Sequence, residues 1–160
     1  MTPLVKGLTL AAVHVAMVLS LGGKLLLDRA AMPRVWVRTM PYDPNLPIRG
    51  RYVSLSIAAE ARGFPAGAIY GSARLAVEDG ILVARPDENG GNMVNTFGNN
   101  ATATLSQPIA FFIPEHIPDP SRRPAGEELW VELTVPPKGP PRPIQLGVKK
   151  DGVLTPLALR

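Results

Sequence analysis

Residues 7–23, GLTLAAVHVAMVLSLGG, carry no formal charge, and no other segment limits the fold as strongly. At a rise of 1.5 Å per residue this run alone is slightly shorter than the roughly 30 Å hydrocarbon core of a bilayer, so a spanning helix must continue. It continues through Lys24 and the leucines of 25–27 to about Ala31, because an interfacial lysine buries its stem and lifts its ammonium to the headgroups. Asp28 stands one turn after Lys24 and pairs with it at that boundary. Pro33 supplies the stop, and Met32 before it is biased out of the helical region. Residues 1–32 therefore read as a membrane anchor, with the lipid bilayer as its partner. The competing reading is a cleaved signal peptide: Lys6 forms a short basic start and Ser20-Leu21-Gly22 offers small residues for cleavage, whereas the leucines of 25–27 favour retention.

Orientation has two opposed signals. Only Lys6 and the α-amine precede the segment, while Lys24, Arg29, Arg34 and Arg38 follow it, a count that leaves the following domain in the cytoplasm. Lys24 and Arg29 belong to the helix itself, however, and long domains are translocated largely regardless of flanking charge. His14 lies in mid-segment, where an ionisable group is either functional or a neutral histidine tolerated within one helix.

The remaining residues, 33–160, fall within the usual size of a single domain. The 160-residue chain has no cysteine, which excludes a disulfide framework and a thiolate metal site. Its net charge of +4 is spread as single basic residues, adjacent only at Arg122-Arg123 and Lys149-Lys150, without the clustering and stacking aromatics of a nucleic-acid surface. The excess reads as solubility and attraction to anionic lipid.

After Pro33 the pattern changes to short alternating runs broken by Gly and Pro, which mark strands and turns. Strands are expected over 35–39, 52–57, 72–78, 81–85, 101–105, 109–113, 129–135, 145–149 and 153–159. Asp79-Gly80 and Asp151-Gly152 supply the positive φ of two tight hairpins. The expected fold is mainly β, an antiparallel sandwich or small barrel of about eight strands preceded by one N-terminal transmembrane helix. Residues 89–100 and 114–126 read as long connections, and PPKGPPRP at 136–143 as an extended crossover.

No catalytic set stands out. Of two histidines one lies in the apolar segment, and Glu115-His116 is an adjacent pair whose side chains diverge on an extended chain, so neither a metal nor a cofactor is implied. Ser54, Ser56 and Ser72 lack a lysine near a strand centre, and serine in such runs is expected to face solvent. Phosphate-binding glycine loops are absent. Asn100-Ala101-Thr102 matches a glycosylation sequon, a three-residue pattern common by chance.

The stretch MPYDPNLPIRGRYVSLSI at 40–57 reads as a rigid corner. Its three prolines fix the path, Asp43 bonds its own backbone ahead of Pro44, and Gly50 admits the chain to the next strand. Asp43, Arg49, Gly50, Tyr52 and Leu55 here, with Phe112, Pro114 and Glu115 downstream, resemble the motifs of the bacterial GDYXXLXY family of membrane-anchored proteins. Gly50, Tyr52 and Leu55 match; Arg51 stands where that family has Asp, and Ile57 where it has the final Tyr, so no carboxylate role carries over to position 51.

The resemblance implies a bacterial inner-membrane protein with a periplasmic β-domain and no established activity, often encoded beside polytopic membrane proteins. A non-enzymatic accessory subunit is therefore expected, contacting a polytopic partner through the 40–52 corner and the 111–116 segment. The alternative is a membrane-tethered hydrolase or small-ligand-binding barrel using Asp43, Glu115 and His116.

Overall fold

A computed structural model describes residues 2–41, 52–65, 67–97 and 101–158 of the chain. These divide into two compact units, Met1–Met32 and Pro33–Arg160. The first is a single helix, α1, Pro3–Ala31. Within it Pro3–Leu27 is long and apolar enough to cross a membrane, with a mean hydropathy of 1.9. Three of its polar side chains bond its own backbone. The Thr9 hydroxyl donates to the Val5 carbonyl at 2.9 Å, that of Ser20 to Met17 at 2.9 Å, and His14 Nδ1 bonds the Leu10 carbonyl at 2.8 Å. His14 therefore has a partner within its own helix, which is what lets an imidazole stand in an apolar segment. The side chain of Asp28, expected to pair with Lys24, lies outside the described residues.

Among the described residues the second unit has ten strands: β1 Arg34–Pro41, β2 Tyr52–Ala61, β3 Tyr70–Glu78, β4 Ile81–Pro86, β5 Asn92–Phe97, β6 Thr102–Leu105, β7 Ile109–Phe112, β8 Glu127–Thr134, β9 Arg142–Lys150 and β10 Val153–Pro156. Five of them close on themselves in the order β2-β4-β3-β5-β6, with β6 returning to β2. Every pairing in this small barrel is antiparallel except β2 with β4, which run parallel through Glu60↔Val83 and Ala61↔Ala84. The remaining strands extend from it as a sheet, β10-β9-β8-β1, joined to β2, with β7 on the first half of β2.

Long strands that change partner hold the two parts together. Arg34 to Arg38 of β1 pair with β8, and Thr39 to Pro41 pair with β2. At the change Thr39 is buried and its hydroxyl donates to the Ser56 carbonyl at 2.9 Å. On β2, Val53, Ser54 and Leu55 are all buried in succession, so Ser54 does not face solvent as a strand serine is expected to. Tertiary neighbours cover both faces of β2 at that level, and no local alternation encodes such cover.

A five-stranded barrel has a narrow interior, and small side chains fill it. Ala59, Ala73, Ala84 and Ala103 are buried on four different strands, beside Leu75 and Val94, in one core that continues through Leu55, Ile57, Val131, Leu133 and Leu146. The hairpins at Asp79-Gly80 and Asp151-Gly152 form as expected, with φ of 51° and 76° in the first and 49° and 82° in the second.

Two connections differ from expectation. Residues 89–100 are not one long loop, because 92–97 form β5. Residues 136–143 do not cross the fold: β8 and β9 are antiparallel neighbours, and the proline-rich segment is the loop between them.

Candidate functional site

Two of the aromatic residues marked in the sequence stand side by side. Tyr52 at the start of β2 lies opposite Phe112 at the end of β7, with ring centroids 6.1 Å apart and planes inclined by 56°. Such tilted contacts are favourable for aromatic quadrupoles. Phe112 is 70% exposed while Phe111, one residue earlier, packs on the core, as the two-residue period of a strand requires. Leu55 is fully buried, so its part is structural. Phe112 and Pro114 line a groove of about 670 Å³ together with Ile144 and Leu157.

Glu115 and His116 occupy the corner positions of a turn closed by the Ile117 amide on the Pro114 carbonyl at 3.2 Å, and both are exposed. Asp43, Arg49 and Gly50 lie outside the described residues, as does Arg51. Among the described residues no group of three or more His, Asp or Glu gathers at metal-binding distance.

Charge on the barrel's outside is distributed unevenly. Over β2, β4 and β3 an ionic network covers the parallel pairing. Arg62 donates to Glu60 at 2.9 Å and to Glu78 at 2.8 Å, and Arg85 donates to both oxygens of Glu78 at 2.8 and 3.0 Å. The Arg85 hydrogen bonds pull the Glu78 carboxyl below its ordinary range, partial burial opposing them, and the Arg62 hydrogen bond does the same for Glu60. Arg74 pairs with Asp87 at 2.6 Å.

Elsewhere Arg38 meets Glu128, Arg122 meets Asp119, and Arg123 and Lys150 share Glu127. Lys149 stands 4.6 Å from the centre of the Trp130 ring.

Among the described residues the outer face of β5 and β6, with Tyr70 and Ser72 at the start of β3, carries no charge. Pairing places Tyr70 beside Asn95, Ser72 beside Met93, Phe97 beside Thr102 and Asn95 beside Thr104, all on the outer face of β3, β5 and β6. Tyr70 is 72% exposed, Phe97 57% and Met93 50%.

Strand β5 has its polarity reversed at both ends. Asn92, Val94 and Thr96 face inward and Met93 and Phe97 outward. The buried polar groups are satisfied: the Asn92 amide donates to the Gly90 and Gly139 carbonyls at 3.2 and 3.1 Å, and the Thr96 hydroxyl donates to the Ala68 carbonyl. This face was hidden in the sequence because NMVNTF sits among Asn and Gly and reads as a loop. The available signal was its strict alternation of Met, Asn and Phe against Asn, Val and Thr.

No protein-family model, no curated protein and no solved structure matches the chain.

Proposed function

We propose that this chain is a non-enzymatic accessory subunit, tethered to a bacterial inner membrane by α1, with its β-domain on the periplasmic side and docked on a polytopic membrane protein. The observation that carries this reading is the reversed strand. Burying Met93 and Phe97 in place of Asn92 and Thr96 would gain about 1.5–3 kcal/mol for each large side chain, so folding alone does not account for an apolar outer face. Surfaces depleted of charge and enriched in Tyr, Phe and Met are the composition of interface centres. The resemblance to the GDYXXLXY family supports the bacterial setting and the orientation, and the length and apolarity of Pro3–Leu27 support the tether. The Tyr52–Phe112 edge is the second contact surface of the reading.

A photo-reactive phenylalanine analogue at Met93 or Phe97 in the full chain, in native membranes, tests it. The expected result is a crosslink to one integral membrane protein that survives mild-detergent purification, is lost with Tyr70→Ser, and is absent from a probe at Thr155. Recovery of monomer alone, under detergent conditions that preserve known complexes, would overturn the reading.

A further inference from the structure

We infer that the end of the β-domain adjoining the anchor is a docking surface for anionic phospholipid headgroups, with Lys138 and Arg142 as its principal cations. The inference rests on α1 being a retained membrane anchor. The cations of the β-domain described above are almost all neutralised locally: those on the barrel and on the far ends of β8 and β9 are ion-paired, and Lys149 lies over Trp130. Lys138 and Arg142 differ. Both are exposed, and neither has a carboxylate within 4.0 Å among the described residues.

Their position follows from the strand register. Arg34 opens β1 only three residues after Ala31 ends α1, a reach of at most about 11 Å of extended chain. Pro33 accepts a hydrogen bond from the Val135 amide at 3.0 Å, and both Arg34 and Arg142 lie opposite Thr134 on adjoining strands. The β8–β9 loop bearing Lys138 is therefore tied to the residue at which the chain leaves the anchor. Prolines at 136, 137, 140, 141 and 143 restrict its path, and Asn92 clamps its Gly139 carbonyl at 3.1 Å. Attraction between such cations and an anionic surface acts over about 10 Å at 0.1 M salt.

An anionic bilayer is the complementary occupant, since each basic residue held near such a surface favours it by about fivefold. Two make a preference of about twenty-five-fold, graded by salt.

The chain has no cysteine, so one introduced thiol labels a single site. Full-length protein carrying a fluorophore at Pro137→Cys is reconstituted into phosphatidylcholine vesicles and into equimolar phosphatidylcholine–phosphatidylglycerol vesicles, each with a headgroup spin-labelled quencher. The expected result is strong quenching only in the anionic vesicles, reversed by salt. Quenching falls several-fold with Lys138→Glu and Arg142→Glu together, and does not occur at a Val153→Cys control. Equal quenching in both vesicles, or quenching indifferent to salt and to the charge reversals, overturns the inference while co-flotation with vesicles leaves the anchor intact. Protein that floats with neither vesicle removes the anchor and this inference together.

Discussion

Arg85 on β4 grips the Glu78 carboxylate on β3 through two hydrogen bonds, Nε to Oε1 at 2.8 Å and Nη2 to Oε2 at 3.0 Å. Arg62, just past the end of β2, reaches the same carboxylate at 2.8 Å, so one glutamate joins both sides of the barrel's single parallel pairing. Parallel ladders are slightly less stable per residue than antiparallel ones, and this one is only two residue pairs long.

Acid should loosen that junction. Glu78 is held below the ordinary glutamate value of 4.5 by the Arg85 hydrogen bonds first, and Glu60 by that of Arg62. With the folded value below the unfolded one, their stabilisation is present above about pH 4.5 and lost as pH falls through the folded values. The thermal midpoint should therefore drop on acidification below about pH 4.5, and Glu78→Gln should start lower at neutral pH and drop less. Parallel acid profiles for the two proteins, measured by circular dichroism melts, would remove Glu78 as the cause.

Two glycines should differ in what an added methyl costs. A Cβ at Gly90 would stand 2.2 Å from the Ala73 carbonyl carbon and oxygen, which are backbone atoms of β3 and cannot step aside. Gly90→Ala is expected to lose about 3 kcal/mol. At Gly147 the nearest atom, 2.8 Å away, belongs to the Trp36 ring, which can tilt. Gly147→Ala should cost nearer to about 1 kcal/mol and alter tryptophan emission. Denaturant titration ranks the two, and the reverse order would show the turn before β5 to be softer than its contacts imply.

Asn92 ties β5 to the β8–β9 loop through the Gly139 carbonyl. Asn92→Ala leaves two carbonyl acceptors without their amide donor and should cost about 1–3 kcal/mol. Amide exchange across 136–141 should accelerate ahead of global unfolding. Unchanged exchange there would mean that the prolines alone hold the loop.

The buried core and the outer face of the barrel should respond differently to truncation. Leu55→Ala, at a fully buried site, is expected to cost about 3 kcal/mol, whereas Phe97→Ser should stay within about 0.5 kcal/mol. A large loss for Phe97→Ser in a melt of the isolated chain would return that ring to the fold and take away the basis of the proposed interface.

Much of the β-domain was legible because its strands are half-buried. Where one face meets the core and the other meets water, the period-two pattern marks the strand, as in 129–133, and Asp-Gly marks the hairpins at Gly80 and Gly152. Strand β5 was illegible for the opposite reason: at its two ends the inward residues, Asn92 and Thr96, are polar and the outward ones, Met93 and Phe97, are apolar, so hydrophobicity points the wrong way there. Ser54 misled similarly, since β2 is covered on both faces where β1 and β7 meet it. Of the candidate site, Tyr52 and Phe112 were each marked in the sequence, but their contact depends on β7 lying beside β2.

By itself the sequence determined the division between an apolar helix and an alternating β-domain, because both depend on local periodicity and on the need of every buried backbone group for a partner. Only the tertiary structure decided that five of the strands close into a barrel, that the charges on its exterior gather over β2, β4 and β3, and that Lys138 and Arg142 have no carboxylate within 4.0 Å among the described residues. Those features arise from register between strands far apart in the chain, and register is set by the summed packing of both faces, which no single segment encodes.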